Sequence, residues 1–189
     1  MGPRAGVRNG EWNESNARGF MEYNALQGVE IVGYEFGNEP NLFPTAFGEN
    51  ATLSPSQYAS DLQVFRKLVK SFGNEILVIG PDVDFVPLLG EETGPFMEEM
   101  LPLSNGAIDV VTFHFYPTLS DKYNSTIPPI IDPFYSTPRK MVDPLILDQV
   151  GLVASYVNSL RLKYTNASAV WLGETGSAAG GGQSGVSDR

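Results

Sequence analysis

Cysteine is absent from the 189 residues, which excludes disulfides, thiolate-held metals and cysteine nucleophiles together and leaves the redox compartment open. Histidine occurs once, at His114, and a lone histidine without a surrounding cluster argues against a metal centre. Basic side chains are also scarce. Twelve Lys and Arg against 22 Asp and Glu give a net charge of −10. The densest basic stretches, Arg66-Lys67 with Lys70, Arg139-Lys140, and Arg161 with Lys163, are short and scattered, which argues against a nucleic-acid partner. No apolar run approaches the roughly 18–20 residues of a membrane span, and residues 1–8 lack the apolar centre of a signal peptide.

What remains is a chain that is 42% hydrophobic, enough to bury a core, and that reads as one domain or a piece of one. Four Asn-x-Ser/Thr sequons, at Asn13, Asn50, Asn124 and Asn166, fall in stretches that read as turns or helix starts. They favour extracellular or lysosomal passage with glycosylation at those asparagines.

Hydrophobic period and capping signals alternate along the chain. Asn13 can cap a helix running to about Gln27, with Ala17, Phe20 and Met21 on one face. Val29 to Phe36 reads as a strand. Ser54-Pro-Ser-Gln57 opens a helix carrying Tyr58, Leu62, Phe65, Val69 and Phe72 at helical spacing, and Gly73 stops it. Ile76 to Ile79 is predicted as a strand ended by Gly80-Pro81-Asp82. A short helix follows over about Pro95–Leu103, then a strand over Ile108–Phe115. Asp143-Pro144 caps a long helix with Ile146, Val150, Val153, Val157 and Leu160 inward, and Ala169–Leu172 forms the fourth strand.

Strands that alternate with helices and read as near-continuous apolar runs indicate a parallel sheet covered by helices. Polar residues gather at the strand C-termini: Asn38-Glu39, Asp82, His114 with Tyr116, and Glu174. A (β/α)8 barrel carries its active site at that face. A doubly wound sheet is the alternative, but its phosphate-binding glycine pattern is missing after every strand except the last. Only four strands are legible, so the expectation is an incomplete barrel truncated at both ends, with exposed sheet edges. Such a piece is expected to be neither stable nor active alone.

Glu39 and Glu174 close two of these strands, in Gly33-Tyr-Glu-Phe-Gly-Asn-Glu-Pro40 and Val170-Trp-Leu-Gly-Glu-Thr175. Paired carboxylates at strand ends are the machinery of glycosidic cleavage, one protonated as general acid and one ionised as nucleophile. An apolar surround such as Phe36 and Phe43 favours a protonated carboxyl, and a hydrogen-bond donor such as Tyr116 an ionised one, whichever glutamate takes each part. Glu35, four residues before Glu39, is expected to be a buried structural carboxylate. Asp82 either caps a turn or lines the site. His114 is expected to hydrogen-bond near the site rather than to transfer protons. The proline-rich stretch from Pro117 to Pro144, with Phe134 and Tyr135, reads as a loop over the cleft.

Five blocks in order, Trp12-Asn-x-Ser-Asn16, Glu35-Phe-Gly-Asn-Glu-Pro-Asn41, Gly80-Pro-Asp-Val83, Val111-Thr-Phe-His-Phe-Tyr116 and Trp171-Leu-Gly-Glu-Thr175 with Gly180-Gly-Gly182, resemble the heparanase family, glycoside hydrolase family 79. The resemblance runs from Trp12 to Arg189. It implies barrel strands four to seven, Glu39 as proton donor, Glu174 as nucleophile, and a retaining cleavage of β-glucuronic-acid linkages that needs no cofactor. It places Asn38 at the hydroxyl beside the anomeric carbon, with Asp82, His114 and Tyr116 nearby. Gly180 and Gly181 then offer backbone N–H groups to the glucuronic acid carboxylate, the plainer reading of these glycines being a flexible turn. The implied partners are a glucuronic-acid-containing polysaccharide or glycoside, the remaining barrel segments and a β-sandwich domain of the full-length protein. The implied location is extracellular or lysosomal, with membrane association a further option. A non-catalytic carbohydrate-binding relative or an inactive fragment is the alternative. Two departures stand out. Ala179 occupies a position where the family often has an aromatic, and Asp84-Phe-Val-Pro87 replaces polar and basic residues of the animal heparanases, which points to a substrate with little sulfate.

Overall fold

The computed structural model of the chain describes Arg4, residues 9–85, 90–120 and 135–182, and Gly185. Helix α1 (Ser15–Leu26) leads to strand β1 (Gly33–Glu35), a short helix α2 (Phe43–Phe47) and the long helix α3 (Pro55–Phe72). Strand β2 (Leu77–Phe85), helix α4 (Gly90–Leu103) and strand β3 (Val110–Phe115) follow. Helices α5 (Pro144–Leu147) and α6 (Gln149–Tyr164) then lead to strand β4 (Ala169–Thr175). The strands form one parallel sheet in the order β1-β2-β3-β4. A doubly wound sheet reverses its strand order at a switch point, and this one does not. The four strands and their helices are half of a (β/α)8 barrel.

Alternation across β3 defines the two faces. Val111, Phe113 and Phe115 pack under the helices, while Thr112 and His114 point to the inner, barrel-side face. The helix-side core is dominated by aromatics: Phe36 sits 4.7 Å from Phe65 and 4.9 Å from Trp12, ring centre to ring centre. Helix α3 begins as its sequence dictates, the Ser54 hydroxyl accepting a hydrogen bond from the Gln57 N–H at 3.1 Å. Its buried Tyr58 donates to the Phe36 carbonyl at 2.6 Å, tying the helix to the end of β1. At the opposite end of the sheet Asp109 accepts from Arg66 at 2.8 Å, Lys70 at 2.9 Å and the Val78 N–H at 3.0 Å. The strand N-termini are thereby fastened away from the site.

Three expectations need correction. Strand β2 does not stop at Ile79. It continues through Gly80-Pro81-Asp82, with a register irregularity between Gly80 and Val83 that accommodates a proline lacking an N–H. Strand β1 is shorter than Val29–Phe36, because Val29 and Val32 are exposed and only Gly33–Glu35 meet β2 in register. In α1 the predicted apolar face is split: Met21 is buried, whereas Phe20 is exposed and touches only the edge of Tyr34.

Candidate active site

The Asn-Glu-Pro-Asn turn after β1 is held onto β2 by main-chain and side-chain bonds. The Glu39 N–H donates to the Asp82 carbonyl at 2.9 Å. Asn41 grips the backbone of Asp84 from both sides, its Nδ2 donating to the carbonyl at 3.1 Å and its Oδ1 accepting from the N–H at 3.2 Å. Glu39 itself takes φ 47°, and Asp82 φ 54°. Each is a left-handed conformation that costs a non-glycine residue about 1–2 kcal/mol and is kept only where the surroundings impose it. Glu39 is thus aimed by its frame rather than by its own preference.

His114 occupies the middle of the site and is buried. Its Nδ1 lies 3.0 Å from Glu39 Oε1 and 3.8 Å from Glu174 Oε2, and its Nε2 lies 3.7 Å from Asp82 Oδ1. Burial works against a charge on the ring, but Asp82, Glu39 and Glu174 outweigh it and push its pKa up to about 10. The ring is therefore an imidazolium at neutral pH. Asp82 is buried, and neither of its oxygens has a hydrogen-bond partner among the described residues, so the imidazolium is its counter-charge. Asp82 lies inside strand β2 rather than in a turn, with its side chain buried against His114.

Glu39, His114 and Glu174 each bring one polar atom within 4.8 Å of the others, a spacing that a cation could also use. While the imidazole keeps its proton it has no lone pair to give, and in that state the three groups form an ion cluster. Tyr116 donates from its hydroxyl to Glu174 Oε2 at 3.0 Å, the partnership expected from sequence. Burial and that carboxylate push the phenol up to about 12, which keeps it a donor.

Asn38 is exposed on the turn just before Glu39. Gly180, Gly181 and Gly182 adopt φ of 85°, 97° and 82°, a run that side-chain-bearing residues rarely take. The turn is pinned at its start, where the Ala179 N–H donates to the Thr118 carbonyl at 2.9 Å and the Ser120 N–H to the Ala179 carbonyl at 2.8 Å. Asn13, Asn50 and Asn166 are exposed, and Asn124 lies outside the described residues. Tyr135 is buried and packs rather than facing a cleft, and Phe134 lies outside the described residues. Glu35 is exposed among the described residues, where β1 has a strand partner on one side; partial burial, then Asp82 and Glu174, still raise its pKa. Phe36 does not shield Glu39 but belongs to the helix-side aromatic cluster.

Three contributors escaped the sequence reading: Asn41, Asp84 and Gly173. The second asparagine of Asn-Glu-Pro-Asn was a signal for the first, and the period-two repeat Asp82-x-Asp84 for the second. Gly173 is needed for space. A Cβ there would lie 3.3 Å from Asp82 Oδ1 and from His114 Cδ2 and Nε2. In the full-length protein Gly173→Ala is expected to displace the Asp82–His114 pair and cost about 1–2 kcal/mol of stability, the range for overpacking, with turnover falling about tenfold. Denaturant unfolding and steady-state rates check this, and wild-type values for both would show that the approach tolerates a methyl group.

Parallel βα units with one glutamate after the first strand and another in the last, converging at the strand C-termini, are the layout of a glycoside-hydrolase barrel. The chain belongs to glycoside hydrolase family 79: the sequence model described as "Glycosyl hydrolase family 79, N-terminal domain" matches residues 3–189. Heparanase-like protein 2 of Arabidopsis thaliana is 30% identical over 184 residues, covering 95% of this chain and 30% of that protein. Heparanase of Bos taurus is 30% identical over 174 residues, covering 90% of this chain and 28% of that protein. The chain thus spans under a third of the length of these relatives. Among solved structures, a Paenibacillus polymyxa xyloglucanase of glycoside hydrolase family 44 superposes with a TM-score of 0.56 at 15% identity, covering 86% of this chain and 40% of that one. A Clostridium acetobutylicum family 44 endoglucanase, its source printed as Clostridium acetobutylium, superposes with a TM-score of 0.56 at 16% identity, covering 85% and 40%. These likenesses establish the fold.

Proposed function

We propose that the protein carrying this chain is a retaining glycoside hydrolase that cleaves β-glucuronic-acid linkages in a glycan or proteoglycan by double displacement. The observation that carries the reading is the approach of the two glutamates. An oxygen of Glu39 lies within 4.8 Å of an oxygen of Glu174. Retaining enzymes hold their carboxyl groups roughly 5–5.5 Å apart, whereas inverting enzymes need about 6.5–9.5 Å to admit a water.

In the first step a Glu174 oxygen attacks the anomeric carbon while Glu39 gives its proton to the glycosidic oxygen, the old C–O bond breaks and a glycosyl ester forms. In the second, Glu39 takes a proton from water, the water oxygen bonds to the anomeric carbon, and Glu174 leaves as carboxylate. Tyr116 steadies that carboxylate between steps. Asn38 serves the adjacent sugar hydroxyl, and the N–H groups of Gly180 and Gly181 receive the substrate carboxylate, a contact that glycine permits without a basic side chain. The family and the heparanase names of the relatives support a uronic-acid polysaccharide as substrate.

Little sulfate is expected on that substrate. The net charge is −10, and beyond Val83 the chain offers Asp84 and a Phe85 that packs on Phe113 and Tyr156. Val86 and Pro87 lie outside the described residues. Extracellular or lysosomal passage, with glycans on the sequon asparagines, completes the reading. The test is the full-length protein on an unsulfated β-glucuronide, with the anomer formed first read by NMR. Retention and preference over heparan sulfate are expected. Inversion would sink the mechanism, and equal rates on the two substrates would sink the specificity.

A further inference from the structure

Asp82 lies at the irregularity of β2, where Pro81 and Asp82 together stand opposite Thr112 of β3. Such bulges re-aim a side chain and recur beside active sites. The Asp82 backbone is fixed from both sides, its N–H donating to Thr112 Oγ1 at 3.2 Å and its carbonyl accepting from the Glu39 N–H at 2.9 Å. With φ at 54°, it keeps a left-handed conformation that these contacts impose. The side chain is thereby sent inward, 1% exposed, to end 3.7 Å from Nε2 of His114. Gly173 leaves the room for that approach.

Stability alone does not account for this carboxyl. Neither oxygen has a hydrogen-bond partner among the described residues, and a buried carboxyl without hydrogen bonds weakens a fold. What it meets is the back of the His114 ring. The front meets the reaction, Nδ1 lying 3.0 Å from Glu39 Oε1 and 3.8 Å from Glu174 Oε2. Both glutamates change during a double displacement: the acid/base gives up a proton and takes one back, and the nucleophile passes from carboxylate to ester and back. Asp82, buried behind the ring, takes part in neither exchange. Of the three acids around His114, it alone offers the ring the same partner in every step.

We propose that Asp82 is a positioning residue acting through His114: it holds the ring from behind, so that the Nδ1–H stays on Glu39 through both displacement steps. This role rests on the reading of Glu39 and Glu174 as acid and nucleophile. A neutral imidazole has one N–H and can serve Glu39 or Asp82, whereas a charged ring serves both. A carboxylate fixed at Nε2 favours the charged ring and sets its orientation. The pKa of His114 is in keeping with this: burial lowers it, yet Asp82, followed by Glu39 and Glu174, pushes it up to about 10. The titratable groups around the pair are Glu35 and Glu39 from β1 and its turn, Tyr58 from α3, Asp84 from β2, Tyr116 after β3, and Glu174 from β4.

Asp82→Asn keeps the size of the side chain, and asparagine accepts positive φ, so the backbone conformation is kept as well. In the full-length protein carrying 15N-labelled histidine, the His114 signals are identified by their loss in His114→Gln. In Asp82→Asn the pH midpoint at which the ring loses its second proton is expected to fall by about 1–3 units, the worth of one adjacent opposite charge. On an alkyl β-glucuronide kcat is expected to fall about tenfold with KM near native, a fraction of what general acid catalysis supplies. An unmoved midpoint overturns the proposal, and so does a moved midpoint with native kcat.

A second measurement leaves Asp82 in place. Glu39→Gln, labelled at Glu174 by a fluorosugar with a fluoride leaving group, has lost the charge of both glutamates. The His114 ring should still hold both protons above about pH 6.5, the ordinary histidine value. Loss of the second proton at or below that pH overturns the proposal. The two levels of inference separate on the native protein. If the fluorosugar does not label Glu174 there, the nucleophile assignment fails and the role of Asp82 falls with it. Labelling at Glu174, together with an unmoved midpoint in Asp82→Asn, removes the role of Asp82 alone.

Discussion

Glu174→Gln in the full-length protein is expected to lower kcat by on the order of 10^5, the scale seen when a covalent nucleophile is removed. The change keeps shape and hydrogen-bonding reach, so the Tyr116 hydroxyl can still meet an oxygen at position 174. What it removes is the negative charge that would make this oxygen a nucleophile toward the anomeric carbon. Because only one step of the reaction is lost, substrate should still bind with nearly the native KM, and the glycosyl-enzyme intermediate should disappear. A mechanism-based fluorosugar that traps that intermediate would label native protein at Glu174 and leave Glu174→Gln unlabelled. Unchanged turnover, or labelling elsewhere, would remove Glu174 from the role.

Glu39→Gln is expected to behave differently, and the difference is diagnostic. An alkyl glucuronide should lose about 10^2–10^4 in rate, the usual worth of general acid catalysis. A nitrophenyl glucuronide, whose leaving group departs without a proton, should lose far less in its first step and then accumulate the glycosyl-enzyme, because no base activates water. Added azide, which needs no base, should restore turnover of the nitrophenyl substrate and leave the alkyl substrate slow. Equal losses on both substrates without azide rescue would mean that Glu39 shapes the site instead of moving protons.

The parallel βα order was legible in the sequence, as was the gathering of Glu39, His114, Tyr116 and Glu174 at strand ends, because each rests on local patterns. Strand ends collect polar residues, caps announce helices, and apolar runs announce buried strands. What was not legible depended on two strands meeting. The extension of β2 through Gly80-Pro81-Asp82 contradicts the turn that those three residues spell, and it holds because Thr112 on β3 accepts from the Asp82 N–H at 3.2 Å. The room that Gly173 makes becomes visible only with His114 and Asp82 in place. The three acids around His114 likewise become visible only once four separate chain segments have met.

The strict succession of strands, each paired with the one before it in the chain, has a consequence for how the site comes into being. Growth from the ribosome can add each βα unit to a surface already made, because no strand waits for a later one to be inserted between its neighbours. The frame of Glu39, fixed by β1 and β2, is complete while the chain beyond it is still being synthesised. Glu174 arrives with β4, and until then His114 lacks one of its three acidic neighbours.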